Sequence, residues 1–558
     1  MLFLSLMLWI ASPLLANQDL GKGRATDILY FHRPGDPVNV SNGNFYLPVH
    51  DLSLACFTLP IELNRSYNSV STRNGMFGKG WISNYETRLN VDEQMGLKVV
   101  ESDGFVNTFR PVEASLTPSN SEVDKIVAAK KEEDLKYMKN SEGKGSSFYT
   151  DYRKKLSEDL TYFNRQKEMY LPSEAKISKS GKYVSFERGT VHLEKTKEGF
   201  SRSFDDSGRV EEFDAKGLLI RITDQNQNAL RFTYDSNSRL SQVLDSCNQN
   251  IRFAYNRAGK VLEIQDSMLR KWRYEYDNGD RMTRSFTPDG ERLVFAYDKK
   301  DRMTSLTFLD GSKTTIEYDE KYGQVTRQSG PGKKVTTYRY GRDGPSRYAM
   351  VEDNEGLKDK YEFIEAEHKT VFTDKNGRQT VTQYMACCGK PISIKNEKGV
   401  GDEFKYNDSH QLISKTDADK KVTTFEYETR FDKLSLIKNP DGAWLRFVYD
   451  NKGNVTYVSD DKNRFVKLSY EPRGKIAKMI DEKGNEIAFA YNETGRPNRI
   501  ERLLKGVLQS KLEITYTMPG EVDRVQSTPN DPGTRQGIQD TLLGFMTLLK
   551  PAGIDFEI

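Results

Sequence analysis

The chain has 558 residues, with 84 Lys and Arg against 81 Asp and Glu, a formal net charge of +3, 30% charged residues and 36% apolar ones. A balance so even and interspersed creates no field that would select nucleic acid or an anionic membrane. So lean an apolar fraction suits a sheet with one greasy and one wet face better than a large globular core.

Residues 1–16 carry no ionised side chain, are apolar from Leu2 to Ile10, and end at Ala16 before the polar Asn17. This predicts a signal peptide cleaved after Ala16 and a mature chain outside the cytoplasm: periplasmic, on the outer surface, or secreted. No later apolar run reaches the length of a membrane span, so no transmembrane anchor is expected.

Residues 17–111 alternate turn clusters with short β-type runs, and within them Arg65, Tyr67 and Trp81 read as packing anchors of a β-rich cap, with a ligand site as the functional alternative. Residues 112–180 break the pattern. Tyr149, Tyr152, Leu156, Leu160 and Phe163 follow helical spacing, and Ser121 opens a second candidate helix running through Met138, with Gly143 and Gly145 between the two. A charged helical hairpin inserted between cap and repeats is expected. A docking helix is the alternative, but Glu158 and Asp159 interrupt its basic face.

Residues 181–516 form a repeat array. Tyr234, Tyr255, Tyr276, Tyr297 and Tyr318 recur every 21 residues, and Tyr406, Tyr427, Tyr449, Tyr470 and Tyr491 continue the series with small changes of spacing. Each Tyr closes a run of period two, such as Phe232/Tyr234 or Leu293/Phe295/Tyr297, and is followed by a turn-forming tract and a second short strand. The unit is a β-hairpin, and because one hairpin cannot bury its aromatic face alone, the units must stack. Residues 517–558 read as a linker and tail, of which Thr541–Leu549 is an end cap or edge strand rather than an anchor.

The turns written as Tyr449-Asp450, Tyr470-Glu471 and Tyr491-Asn492, each followed by Gly (Gly453, Gly474, Gly495), resemble the YD repeat of the Rhs family over residues 205 to 516. The segment from Gly35 to Arg88 looks like the domain of unknown function that opens many Rhs-type proteins. The resemblance implies an all-β fold: a curling antiparallel ribbon of tandem hairpins forming a partial shell, with a small helical insertion. A leucine-rich repeat would place one strand in each unit, and a propeller would make alternate hairpins differ; neither fits. About fourteen hairpins give roughly 28 strands, ~130 Å of strip at ~4.8 Å per strand, little more than one turn around a space ~30 Å wide.

Candidate chemistry is sparse. His32, His50, His192, His368 and His410 form no HxH or HExxH arrangement, no GxSxG elbow occurs, and the four cysteines contain no CxxC pair. No catalytic residue, metal site or cofactor is expected. Asp245, Asp266, Asp417, Asp460 and Asp481 recur at one turn, as turn formers do. Cys387 and Cys388 are a candidate redox pair, with small packed residues as the bland reading. The resemblance implies an exported, non-enzymatic scaffold or adhesion protein of the cell envelope, with cell-surface glycan as a candidate ligand through the aromatic rings. The alternative is the encapsulating portion of a polymorphic toxin whose effector is missing or separately encoded, which would make that effector or another chain its partner.

Overall fold

The computed structural model describes residues 37–554 except 93–95, 103–104, 113–117, 138–145, 159–161, 164–165, 168–169, 172–177, 186–190, 205–206, 345, 365–366, 386–388, 408–410 and 518–519. The expected signal peptide, His32, His410 and the Cys387–Cys388 pair lie outside the described residues.

One antiparallel strip carries the architecture. Thirty-six strands follow one another in chain order from Arg88–Asp92 to Val522–Thr528, each hydrogen-bonded to the next. The terminal ladders join Arg88–Asp92 to Gly96–Val100 and Val507–Tyr516 to Val522–Thr528, so the strip has two ends and does not close into a barrel. Eight strands exceed the sequence expectation. They come from segments ahead of the tyrosine series, where strands such as Val191–Lys195 and Gly199–Phe204 pair without a repeat motif to announce them.

The strip begins with a tight curl. Its first eight strands bend back until Arg88 bridges Leu218 and the Leu89 N–H donates to the Gly217 carbonyl at 2.9 Å. A Cβ at Gly217 would lie 1.8 Å from the Leu89 oxygen, so only glycine lets this curl shut. The strip then opens into a wider coil. The turn at 224–228 meets the turn at 450–454, with twenty-one strands between them. At the usual strand spacing that winding is about 100 Å round and ~32 Å across.

A second body fills the wide coil at one end. Asn44–Leu54, Ile61–Asn68 and Trp81–Ser83 form a small antiparallel sheet with Val38–Asn39. It touches the strip from Phe232, against the Tyr85 ring, to Arg347, whose guanidinium donates to the Ser41 carbonyl at 2.6 Å. Those contacts span twelve strands, ~58 Å of strip, whereas a body of this length is only about 25 Å across. The strip must therefore curl round it, which makes the aromatic face of the repeats the concave one.

Of the two forms expected for the tail, end cap or edge strand, residues 532–549 take neither an edge strand nor a linker but a helix, α3 (Pro532–Leu549), which lies on the last hairpins as a cap would. Asp531 caps it by accepting from the Thr534 N–H, Pro532 opens its first turn, and Ile538, Leu542, Phe545 and Leu549 form one apolar stripe. That stripe packs on Val458, Leu468, Met479 and Ile500 of the last hairpins. Among the described residues between Val106–Pro111 and Lys182–Ser185 are the helices α1 (Asn120–Tyr137) and α2 (Ser146–Glu158). The first is capped two residues earlier than expected, by the reciprocal pair Ser119 and Glu122. Val123 and Ile126 of α1, Tyr152 and Leu156 of α2, and Phe163 beyond it form one core that packs against Met385 of a later hairpin.

Candidate functional site

The repeat is held by two devices. The first is the tyrosine hydroxyl, which donates to the main-chain carbonyl fifteen residues upstream. Tyr234 reaches Leu219 (2.8 Å), Tyr255 reaches Leu240 (2.6 Å), Tyr276 reaches Val261 (2.9 Å) and Tyr318 reaches Met303 (2.8 Å). Tyr406, Tyr427, Tyr449, Tyr470 and Tyr491 make the same bond to Pro391, Leu412, Leu434, Val455 and Ile476. Each such carbonyl belongs to the hairpin before, so the bond ties neighbouring units. Tyr297 departs from the series, because its oxygen accepts the Trp81 indole N–H at 3.1 Å.

The second device is a carboxylate bracket. Asp235 Oδ1 accepts the Asn237 and Arg239 N–H groups, each at 2.9 Å, and Oδ2 accepts Arg239 Nε at 2.7 Å. The same guanidinium lies 4.9 Å from the Tyr255 ring centre. Asp277/Arg281 and Asp298/Arg302 repeat the arrangement. Asp245, Asp266, Asp417, Asp460 and Asp481 bracket turns on the opposite edge in the same way.

The small sheet is anchored by a buried ion pair. Arg65, its side chain 0% exposed, donates from Nε to Asp51 Oδ2 at 2.6 Å. Its other nitrogens reach Met282 Sδ (3.2 Å) and Ser285 Oγ (3.0 Å) on the strip. The guanidinium lies 4.5 Å from the Trp81 ring centre and 5.4 Å from that of Tyr274. Asp51 in turn holds the strip: the Trp272 indole donates to its carbonyl and the Tyr274 hydroxyl to its carboxylate. Burial opposes the charge on Arg65, but Asp51 and Tyr274 outweigh it and hold the guanidinium above its ordinary pKa. Tyr67 donates to the Asp301 carbonyl and accepts from Met303 N–H, so all three sequence anchors are buried in this contact.

A seam joins the windings. Gln225 Nε2 donates to Asn454 Oδ1 at 2.9 Å, and Lys433 Nζ bridges Gln225 Oε1 and the Gly453 carbonyl. Next to it, Cys56 of the loop after Asn44–Leu54 forms a disulfide with Cys247 in the turn at 245–249. Arg473, from the second winding, donates through Nη2 to the Ser246 carbonyl at 2.7 Å, and that nitrogen lies 3.4 Å from Cys247 Sγ and 3.7 Å from Cys56 Sγ. Its guanidinium is 3.7 Å from the Phe57 ring centre, and its carbonyl accepts from Asn228 and Thr58. Thr58 also donates to Asp224. Three parts of the chain, distant in sequence, thus meet at Arg473.

On the hairpins between those that meet the small sheet and those that meet α3, Phe372, Phe404, Tyr406, Phe425 and Tyr427 are only half-buried, and the α1/α2 pair reaches this stretch at Met385. Opposite Phe404, where earlier units place Val243, Ile264 or Leu306 opposite their Phe, this stretch has Lys415, paired with Asp402 at 2.8 Å. A polar pair where its equivalents are apolar is what a wetted wall requires.

The Cys56–Cys247 bond escaped sequence reasoning because no spacing rule links residues 191 apart. Asp245 lies with those sulfurs within 4.8 Å, but its carboxylate is engaged by Cys247 N–H, Gln249 N–H and Gln249 Nε2 and the sulfurs are bonded to each other, so the trio lacks free metal-ligating groups.

A family model described as a domain of unknown function (DUF6531) matches residues 35–109, one described as teneurin YD-shell matches 194–384, and one described as RHS repeat matches 406–443. No curated protein matches the chain. Among solved structures, TcdB2-TccC3 without its hypervariable C-terminal region is 13% identical with a TM-score of 0.43, over 90% of this chain and 28% of its own. The Tc holotoxin pore of Photorhabdus luminescens is 13% identical with a TM-score of 0.43, over 87% and 27%. The chain therefore spans less than a third of the length of these two structures.

Proposed function

The chain is an Rhs/YD-repeat protein, and from that premise we propose that it works as an exported, non-enzymatic scaffold: a section of shell wall whose thinly covered middle stretch receives a polypeptide effector encoded elsewhere or further along the same gene. One observation carries this reading. The aromatic face packs on the chain's own small sheet at one end and on α3 at the other, while the hairpins between them keep half-buried rings and the Asp402–Lys415 pair. Two fully buried cations, Arg65 and Arg202, are paired internally, with Asp51 and with Glu101 and Glu211, and hold the wall together. No described helix is long and apolar enough to cross a membrane.

Co-expression with the products of adjacent reading frames tests it. Co-elution of one of them, protected from protease only while the chain is present, is the expected result, together with an N-terminus at or near Asn17. Failure of every neighbour to co-elute would refute it. A second reading, glycan binding at the same stretch, is favoured by the half-buried Phe404, Tyr406, Phe425 and Tyr427 rings, whose faces suit stacking on sugars. Glycan-array binding abolished by Phe404→Ala and Phe425→Ala would support that reading instead.

A further inference from the structure

We propose that the Cys56–Cys247 bond is a redox-modification site: a dithiol reductant or a disulfide oxidant of the surrounding compartment sets how firmly the second winding is seated on the first at Arg473. The argument rests on position. The bond joins the small sheet to the first winding, and Arg473 of the second winding is seated on both partners at once, through the Ser246 carbonyl, the Phe57 ring and the Thr58 hydroxyl. That cross-link fixes Cys56 and Phe57 beneath Arg473, while Ala55 is also held by Gln249 and Thr58 by Asp224 and Asn228. Cutting it releases Cys56 and loosens the Phe57 ring under the guanidinium, and Arg473 keeps its contacts with the turns at 224–228 and 245–249.

Access to the two sulfurs is unequal. Cys56 is 1% exposed, whereas Cys247 is partly exposed on its turn. An incoming thiolate therefore attacks Cys247 Sγ. The S–S bond breaks, its electron pair leaves on Cys56, and a mixed disulfide forms at Cys247. The second thiol of the reductant then attacks the reductant's own sulfur in that mixed disulfide and expels Cys247. Two electrons and two protons pass from the dithiol to the protein, and the reductant departs as a disulfide; oxidation runs the same steps backwards. The Arg473 guanidinium, within 3.4 and 3.7 Å of the two sulfurs, stabilises each thiolate as it leaves. The neighbouring Asp245 carboxylate, held by three N–H donors, keeps its charge, and the same Arg473 guanidinium offsets its repulsion of each thiolate.

The full-length mature chain, its free thiols first alkylated, can be treated with reduced glutathione and analysed by peptide mass spectrometry. The adduct is expected on Cys247, about tenfold over Cys56, and Arg473→Ala should slow reduction by dithiothreitol about fivefold or more, with Arg473→Lys close to the native rate. Hydrogen exchange should rise on reduction in the turns at 245–249, 450–454 and 471–475, remain unchanged from 271 to 318, and return on reoxidation. Equal labelling of the two cysteines, an unaltered rate in Arg473→Ala, or unchanged exchange at 471–475 would each overturn the proposal. Because the native chain is reduced and reoxidised in place, the outcome does not depend on whether Cys56→Ser or Cys247→Ser folds.

Discussion

Arg65→Ala is the perturbation that probes most sharply how the small sheet is held in the coil. The Arg65 side chain is 0% exposed and that of Asp51 6% exposed, so neither charge has water to fall back on. Removing the guanidinium strips Asp51 of its 2.6 Å partner, leaves the Tyr274 hydroxyl at 3.1 Å on that carboxylate, and empties the space beside Trp81. An uncompensated buried carboxylate costs about 3–5 kcal/mol, far above the value of a surface pair. The double variant Arg65→Met with Asp51→Asn removes both charges and retains volume, and should recover at least ~1 kcal/mol of that loss. The small sheet can detach without unfolding the strip, so a single global midpoint is the wrong readout. Hydrogen exchange of the amides in Asn44–Leu54 and Ile61–Asn68, together with near-ultraviolet dichroism from Trp81 and Trp272, reports the release directly. A loss under 1 kcal/mol in Arg65→Ala, or a double variant as damaged as the single one, would refute the reasoning.

Tyr255→Phe deletes the 2.6 Å bond to the Leu240 carbonyl while keeping the ring, and should cost about 0.5–1.5 kcal/mol in urea unfolding; Tyr276→Ala, which also removes the ring, should cost about 3–5 kcal/mol. Leu269 is held at φ +63° and is 72% exposed, so Leu269→Gly should stabilise by about 1 kcal/mol, read as a higher urea midpoint. Burial pushes the Lys475 ammonium down to about 8 against the pull of Glu471, while the unfolded lysine titrates near its ordinary ~10.5. In that window the unfolded chain binds more protons, so stability should rise from pH 8 toward pH 10 by about 1–3 kcal/mol, and Lys475→Met should abolish the rise. Ladder tyrosines such as Tyr255 and Tyr470 are shifted upward by burial, so stability should fall above pH ~10 as the unfolded chain ionises first, seen as a late rise of tyrosinate absorbance.

The repeat was legible because its chemistry allows little drift. A phenol is needed to reach the upstream carbonyl, and a side-chain oxygen of Asp, Asn or Glu brackets most of the turns that follow, so Tyr and such a residue recur in register between Tyr234 and Tyr491. In the stretch just ahead of it, alternation from residue 181 onward gave the strands but not their number, since Lys182–Ser185 and Val191–Lys195 pair without a recurring side chain. Helix α3 carried a readable signal in Asp531, Pro532 and the spacing of Ile538, Leu542, Phe545 and Leu549, but the turn-rich residues before it masked the cap. The seam was out of reach. Gln225 and Asn454 meet because of how many strands fill one winding, and that number depends on sheet twist summed over twenty-one strands, which no local pattern encodes.

Small-angle scattering on the purified chain tests the wound strip most directly. A flat ribbon of thirty-six strands would be ~170 Å long, with a radius of gyration near 50 Å. Coiled round its own small sheet, a chain of 558 residues should give a radius of gyration of about 25–30 Å. A value in that range is the result the coiled architecture predicts; one approaching 50 Å would mean that the strip does not wind, and would contradict it.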